Sequence, residues 1–252
     1  MIFAAGLGTR LKPITDHMPK AMVSVGGEPL IKHVIEKLKS AGTERIVVNV
    51  HHFATQITDY LKENNYFNTD IRISDESDKL LDTGGGIKKA QDLFDKESPI
   101  LIHNVDILSN VDLKRFYEAG ISNSNIDKEN TTADAVLLVS ERNTKRYLLF
   151  DNSMRLVGWT NIETGEVRSP YPNLNPKVCK MYAFAGIHTI SPRLFEMMDE
   201  DFPDKFGIID FYLKACKSHI IKGYVKEDLK LLDVGKLDTL KEAEDFVQTR
   251  ES

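Results

Sequence analysis

The sequence predicts an α/β fold, a mostly parallel sheet with helices on both faces. Three observations carry this. Through the first half, apolar runs alternate with amphipathic runs of helical period. Strands separated by helices require right-handed crossovers, which build a parallel sheet. The 252 residues, 41% hydrophobic and 28% charged, suffice for one large domain with a real core.

The elements follow in chain order. Residues 1–5, "MIFAA", read as a short buried strand. Residues 29–42 put Leu30, Ile31, Val34, Ile35 and Leu38 on one helical face and stop at Gly42, a C-cap. Residues 45–50 form a strand, 54–65 a helix and 71–76 a strand. Residues 84–94 open a helix after a glycine run, 99–106 form a strand and 111–120 a helix. In such sheets ligands bind outside the carboxyl ends of the strands. Features after the first, third and fourth strands therefore belong on one edge.

The second half reads differently. Residues 132–141 are a strand, and 147–151 with 155–160 a hairpin through "DNSM". Residues 161–177, rich in Pro, Asn and Gly, read as a long surface loop. Residues 179–190 form a strand, and a helix follows with Ser191 as N-cap and Pro192 at its first position. Residues 207–219 are a helix, "IIKGYV" and "LKLLDV" strands, and 236–249 a closing helix.

Charge and composition exclude several classes. The net charge is −5, with no basic stripe, so nucleic acid is not an expected partner. No apolar run approaches the length that spans a bilayer, and no signal-peptide pattern opens the chain. The two cysteines, Cys179 and Cys216, match no metal spacing and no disulfide framework. The expectation is a cytoplasmic protein with reduced thiols, a monomer or small homo-oligomer.

The most informative stretch is "AAGLGTRLKPITDHMPK", residues 4–20, directly after the first strand. Lys20 does not sit in the frame of a P-loop, and Leu11 replaces the third glycine of a dinucleotide fingerprint. Pro13 also opposes a helix there, which removes a nicotinamide oxidoreductase from consideration. A glycine-rich turn lets backbone N–H groups approach an anion, while Arg10 adds a planar fork and Lys20 a mobile point charge. Together they suit a nucleoside triphosphate.

"AAGLGTRLKPIT" followed by "PKAMVSVGGEPLI" resembles the signature of the sugar-1-phosphate nucleotidylyltransferases. The likeness continues through "LLDTGGGIKKA", "HNVDI", "FAGIHTISPRLF" and "LLDVGKLDTLKEAE", nearly the whole chain. It implies the nucleotide-diphospho-sugar transferase fold, a Rossmann-like sheet with a sugar-binding β-hairpin and helix subregion. Residues 1–252 would be a single domain, with a nucleotide-binding half over 1–130 and a sugar-binding, closing half over 131–252. The implied reaction has a sugar 1-phosphate oxygen attack the α-phosphorus of an NTP, with pyrophosphate leaving in line. The triple glycine and compact length look closest to the N-acetylmuramic acid 1-phosphate uridylyltransferase branch, which favours UTP. Guanylyltransferases for mannose or heptose 1-phosphate are near neighbours. A catalytically silent regulator that binds a sugar nucleotide is the reading from another class.

The resemblance also implies roles. Arg10 and Lys20 would be catalytic, Arg10 on the triphosphate and leaving pyrophosphate, Lys20 on the α-phosphate and attacking phosphate. Ala4, Ala5, Gly6, Gly8, Thr9, Asn104 and the glycines Gly84, Gly85 and Gly86 would meet the nucleotide. Asp106 and Asp233, each at the end of an apolar strand, would hold Mg²⁺. Val105 stands where the family often has a glycine. Asp106, Gly186 and Asp210 would face the sugar; a solvated charge is the competing reading of Asp210 and of neighbouring Lys205. Thr160, Asn161 or Glu163 would stand in for the family's acidic sugar contact. His51 and His52 read as capping or packing residues, and Trp159 as core or pocket wall.

Overall fold

The protein is seen in a computed structural model, which describes residues 1–121 and 132–248. The strands are β1 (Ile2–Phe3), β2 (Ser24–Val25), β3 (Glu28–Pro29), β4 (Arg45–Val50), β5 (Asp70–Asp75), β6 (Ile100–Asn104) and β7 (Ile107–Ser109). They continue with β8 (Ala135–Ser140), β9 (Arg146–Phe150), β10 (Leu156–Asn161), β11 (Glu166–Arg168), β12 (Lys180–Ile190), β13 (Ile221–Val225) and β14 (Leu231–Asp233). The α-helices are α1 (Leu30–Ser40), α2 (Ala54–Glu63), α3 (Asp82–Ala90), α4 (Leu113–Ile121), α5 (Phe195–Asp201), α6 (Ile208–Ala215) and α7 (Asp238–Gln248).

The main sheet runs β5-β4-β1-β6-β12-β9-β10-β11, with β8 and β13 branching from β12. β1 pairs in parallel with β4 and β6, and β4 pairs in parallel with β5. This is the crossover-built half that the alternating pattern predicts. From β12 onward the sheet is mixed. β12 runs antiparallel to β6, β8 and β9, whereas β13 is parallel to β8. The register between β12 and β8 shifts between Phe184 and His188. Gly186 lies in that bulge at φ +73°, a conformation side-chain-bearing residues resist.

Two apolar layers flank the sheet. One buries Ile31, Val34, Ile35 and Leu38 of α1, with Phe116 of α4 and Val247 of α7. The other buries Ile87 of α3, Phe195 and Met198 of α5, and Phe211 and Tyr212 of α6. Along β4, Ile46 and Val48 face the first layer and Val47 the second, as strand alternation dictates. Each large aliphatic buried this way contributes roughly 1.5–3 kcal/mol. Gly42 ends α1 at φ +87°, as expected of its C-cap glycine.

Three elements differ from the sequence reading. The first strand stops at Phe3, because the N–H groups of Ala4 and Ala5 turn to the Asn49 side chain at 2.7 and 3.3 Å. The strand over 99–106 ends at Asn104, and a separate strand, β7, pairs with β14 in a two-stranded ribbon. Within 161–177, β11 pairs with β10, so part of the surface loop is sheet. The boundary between halves at residue 130 and the last position of the closing helix, 249, lie outside the described residues.

Candidate active site

The loops after β1, β5 and β6 meet at one edge of the sheet around a cleft of about 470 Å³. The first loop forms its rim. Gly8 turns at φ +63°, and a methyl group there would lie 2.8 Å from Thr15 Cγ2, so only glycine fits. Thr15 Oγ1 donates to the Gly8 carbonyl at 2.8 Å, and the Leu11 N–H does so at 2.9 Å. Leu11 is fully buried and pins the turn, leaving Gly6, Thr9 and Arg10 exposed toward the cleft.

Lys20 follows Pro19 on a short 3-10 turn, and its side chain is only 9% exposed. Its ammonium bonds Asp106 Oδ2, on a side chain 18% exposed. Breaking so buried a pair leaves an uncompensated charge, at a cost of about 3–5 kcal/mol. Asp106 sits in the turn between β6 and β7, and its carbonyl accepts from the Val234 N–H at 2.8 Å. In the ribbon Asp233 pairs with Ile107, which brings the two aspartates to one end of β7 and β14. Asp233 Oδ2 faces Arg10 Nη2 at 3.9 Å, while its buried Oδ1 has no hydrogen-bond partner. Exposed at 57% and 40%, the Arg10–Asp233 pair adds at most about 1 kcal/mol to stability.

Gly235 shows how tightly these groups converge. A methyl group on it would lie 2.5 Å from Asp233 Oδ1, 2.7 Å from Arg10 Nη2 and 3.2 Å from Lys20 Nζ. Two cations from the first loop and the Asp233 carboxylate thus crowd one glycine, and Asp106 joins them through its bond to Lys20. Asn104 lines the cleft beside them, and a methyl on Gly186 would meet its Nδ2 at 2.7 Å. Gly186 therefore makes room for Asn104 from behind. Val105 is buried, and its N–H donates to the Phe3 carbonyl at 3.1 Å.

Other expected site residues lie elsewhere. The Ala4 N–H is consumed by Asn49, whereas Ala5 lines the cleft. Gly84 and Gly85 donate their N–H groups to the Phe206 carbonyl at 2.9 and 3.2 Å. A methyl on Gly84 would lie 2.2 Å from the Phe206 ring, and one on Gly85 2.0 Å from the Asp204 carbonyl oxygen. The N–H groups of Gly84 and Gly85 are thus taken and both residues pack against 204–206, whereas Gly86 packs against Glu76 and Asn49. Asp82 and Thr83, at the start of α3, line the cleft instead. Asp210 pairs with Arg168, whose guanidinium lies 5.5 Å over the half-buried Trp159 ring. Lys205, weighed as a solvated charge, lines the cleft.

Thr160 donates to the Glu166 carbonyl, Asn161 Oδ1 accepts from the Glu163 N–H, and Glu163 pairs with Lys145. All three serve the β9–β11 hairpins and line no part of the cleft. His51 Nδ1 bonds the Glu76 carbonyl at 2.6 Å and His52 packs on the Phe53 ring at 4.0 Å, in keeping with packing roles. Sequence reasoning missed Asn49, Glu76, Asp82, Thr83 and Gly235 as cleft residues. Only Gly235 left a local signal, as the glycine two residues after Asp233.

The family profile described as Nucleotidyl transferase matches residues 1–154. The N-acetylmuramate alpha-1-phosphate uridylyltransferase of Caulobacter vibrioides is 45% identical over 108 residues, 42% of this chain and 44% of that protein. The protein of the same name from Neisseria meningitidis serogroup B is 37% identical over 122 residues, 48% of this chain and 52% of that one. The chain thus spans about half the length of the curated relatives it matches. HddC from Yersinia pseudotuberculosis, in a crystal structure with GMP-PN, aligns over 98% of this chain and 97% of its own, with TM-score 0.72 and 25% identity. Since the profile takes in more than half of the chain and the fold agrees nearly end to end, the chain belongs to the nucleotidyl transferase family.

Proposed function

We propose that this chain transfers a nucleotidyl group from an NTP to a sugar 1-phosphate and releases pyrophosphate. The observation that carries the reading is the meeting of Arg10, Lys20 and Asp233 around Gly235, with Asp106 bonded to Lys20. Two polyanions have to approach each other in this reaction, so positioning and positive charge are the main requirements. Arg10, exposed on the rim, holds the β- and γ-phosphates through its planar fork and stays with the leaving pyrophosphate. Lys20, nearly buried, stabilises charge on the α-phosphate and on the attacking oxygen.

The carboxylates fit a magnesium ion. Asp233 Oδ1 is a buried oxygen without a partner, and hard oxygen donors are what this ion takes. Among the described residues no group of three or more His, Cys, Asp or Glu side chains gathers. Asp106 and Asp233 would hold the ion, with phosphate oxygens and waters completing its shell. When bound it neutralises charge on the triphosphate and polarises the reacting phosphoryl group. Lys20, held beside the cleft by its bond to Asp106, presents its ammonium to the phosphates.

UTP and N-acetylmuramic acid 1-phosphate are the favoured pair, supported by the names of the Caulobacter and Neisseria relatives. A guanylyl donor is the second reading, supported by the GMP-PN complex of HddC. Among the described residues no helix is long and apolar enough to cross a membrane. The test is a pyrophosphate-release screen with Mg²⁺, crossing UTP, dTTP, GTP, CTP and ATP with muramic, glucosamine, mannose and heptose 1-phosphates. Turnover with UTP and the muramic substrate is expected. Tight nucleotide-sugar binding with no turnover for any pair would favour the silent regulator.

A further inference from the structure

Behind the cleft, a buried run of hydrogen bonds joins the first loop to the start of α3. Asn49 Oδ1 accepts from the Ala4 and Ala5 N–H groups at 2.7 and 3.3 Å. Asn49 Nδ2 donates to Glu76 Oε1 at 2.7 Å, and Glu76 Oε2 accepts from the Leu81 N–H at 3.1 Å. Asn49 is 3% exposed and Glu76 0%, yet both border the cleft. Glu76 makes no ion pair among the described residues, so these two donors and its surroundings keep the carboxylate satisfied.

The bonds fall at informative places. Ala4 and Ala5 lead into Gly6–Arg10, the rim that faces the phosphates in the proposed reaction. Leu81 immediately precedes Asp82 and Thr83, which line the cleft from the start of α3. The pair also sets how closely α3 approaches, because a methyl on Gly86 would lie 2.9 Å from Glu76 Oε1 and 3.1 Å from Asn49 Nδ2. The direction of the amide is unambiguous: its oxygen meets two N–H groups and its nitrogen meets a carboxylate.

We propose that Asn49 and Glu76 are a positioning pair that sets the separation of the first loop and the start of α3, so that nucleotide affinity depends on their donor–acceptor match. This rests on the nucleotidyl-transfer reading of the cleft. The match can be broken and rebuilt without changing shape. Asn49→Asp sets two carboxylates face to face. Glu76→Gln leaves its single NH₂ group against either the Asn49 amide or the Leu81 N–H. The double variant N49D/E76Q restores every bond with the polarity of one link reversed. In it the introduced aspartate accepts from Ala4, Ala5 and the new glutamine amide, while the glutamine carbonyl accepts from Leu81.

The experiment measures the dissociation constants of UTP and GTP with Mg²⁺ by calorimetry, together with kcat and KM, for the parent and three variants. Each single variant is expected to weaken nucleotide binding about tenfold, with kcat changed less than about threefold, and the double variant to return within about twofold. A double variant that stays as weak as Glu76→Gln overturns the pairing and assigns Glu76 a direct contact with ligand. Single variants that bind as tightly as the parent also overturn it. Should a single variant fail to fold, the double variant decides alone, by parent-like affinity or its loss. A parent that binds no nucleotide sinks the function reading itself, and this inference with it.

Discussion

Two glycine-rich segments lie after strands on the same edge of the sheet, and they use glycine in opposite ways. Around Gly6 a methyl group would meet nothing within 4 Å, and the loop opens to the cleft. At Gly84 and Gly85 the space is already filled by Phe206 and the Asp204 carbonyl. Both patterns say that something approaches the backbone closely. In the first loop, at Gly6, that place is open to the cleft. In the second it is taken by the chain itself, and the helix is sealed against residues 204–206. The charges obey the same division. Arg10, Lys20, Asp106 and Asp233 gather on the open side, beside the first loop.

The largest effect should come from the open side. Lys20→Met and Asp106→Asn, chosen to keep side-chain volume, are each expected to slow pyrophosphate release at least about a hundredfold. Rates close to the parent in either variant would strip that residue of its part in the reaction. Gly235→Ala places a methyl among the charges and should lower kcat/KM about ten- to a hundredfold, with the thermal midpoint little changed. Loss of folding there instead would mean that Gly235 belongs with the sealed glycines.

The comparison sharpens with a matched pair. Gly85→Ala gains about 1 kcal/mol of helix propensity. Its methyl nevertheless meets a backbone carbonyl, and overpacking of that kind costs about 1–3 kcal/mol. A net loss of stability in urea denaturation is therefore expected. Gly6→Ala should leave stability within about 0.5 kcal/mol and raise the KM for NTP. Equal stabilities for the two variants would erase the distinction between the loops.

The smallest effect is one of acidity. Burial pushes His103, on the strand that leads to Asn104, and His188, beyond the Gly186 bulge, down from 6.5 to about 3. The unfolded chain then binds more protons than the native one between those values. Stability should be complete above about pH 6.5 and fall as the medium is acidified toward 3. Thermal melts at pH 7.5 and 5.5 test this. His188→Gln, which can still bond the Tyr212 hydroxyl, should flatten the slope; an unchanged slope would place its origin elsewhere.

Much of this arrangement was legible from residue types at strand ends. Arg10, Lys20 and Asp106 converge because the parallel strands β1 and β6 deliver their trailing loops to one edge, and the antiparallel β7–β14 ribbon adds Asp233. The less legible parts depend on register between distant segments. That β7 would pair with β14, bringing Gly235 against Lys20, has no local signature in "ILS" or "LLD". Asn49 reads as one polar residue inside "RIVVNV" until Ala4 and Glu76 are beside it. The glycine run announced a close approach, but not that Phe206 would make it. Asp210 rests on the resemblance alone, with a solvated charge as its competing reading, and its carboxylate is engaged by Arg168.

β12, eleven residues long, pairs with β6, β8 and β9 along its length, so one strand is shared by the crossover-built half and the hairpins. It acts as a beam fixed in both parts. Swinging one part on the other would shear those bonds together, a motion far costlier than the loosening of a rim. In the proposed reaction, admission of substrates and escape of products would thus fall to short peripheral segments, and the geometry of the cleft would be preserved from one cycle to the next.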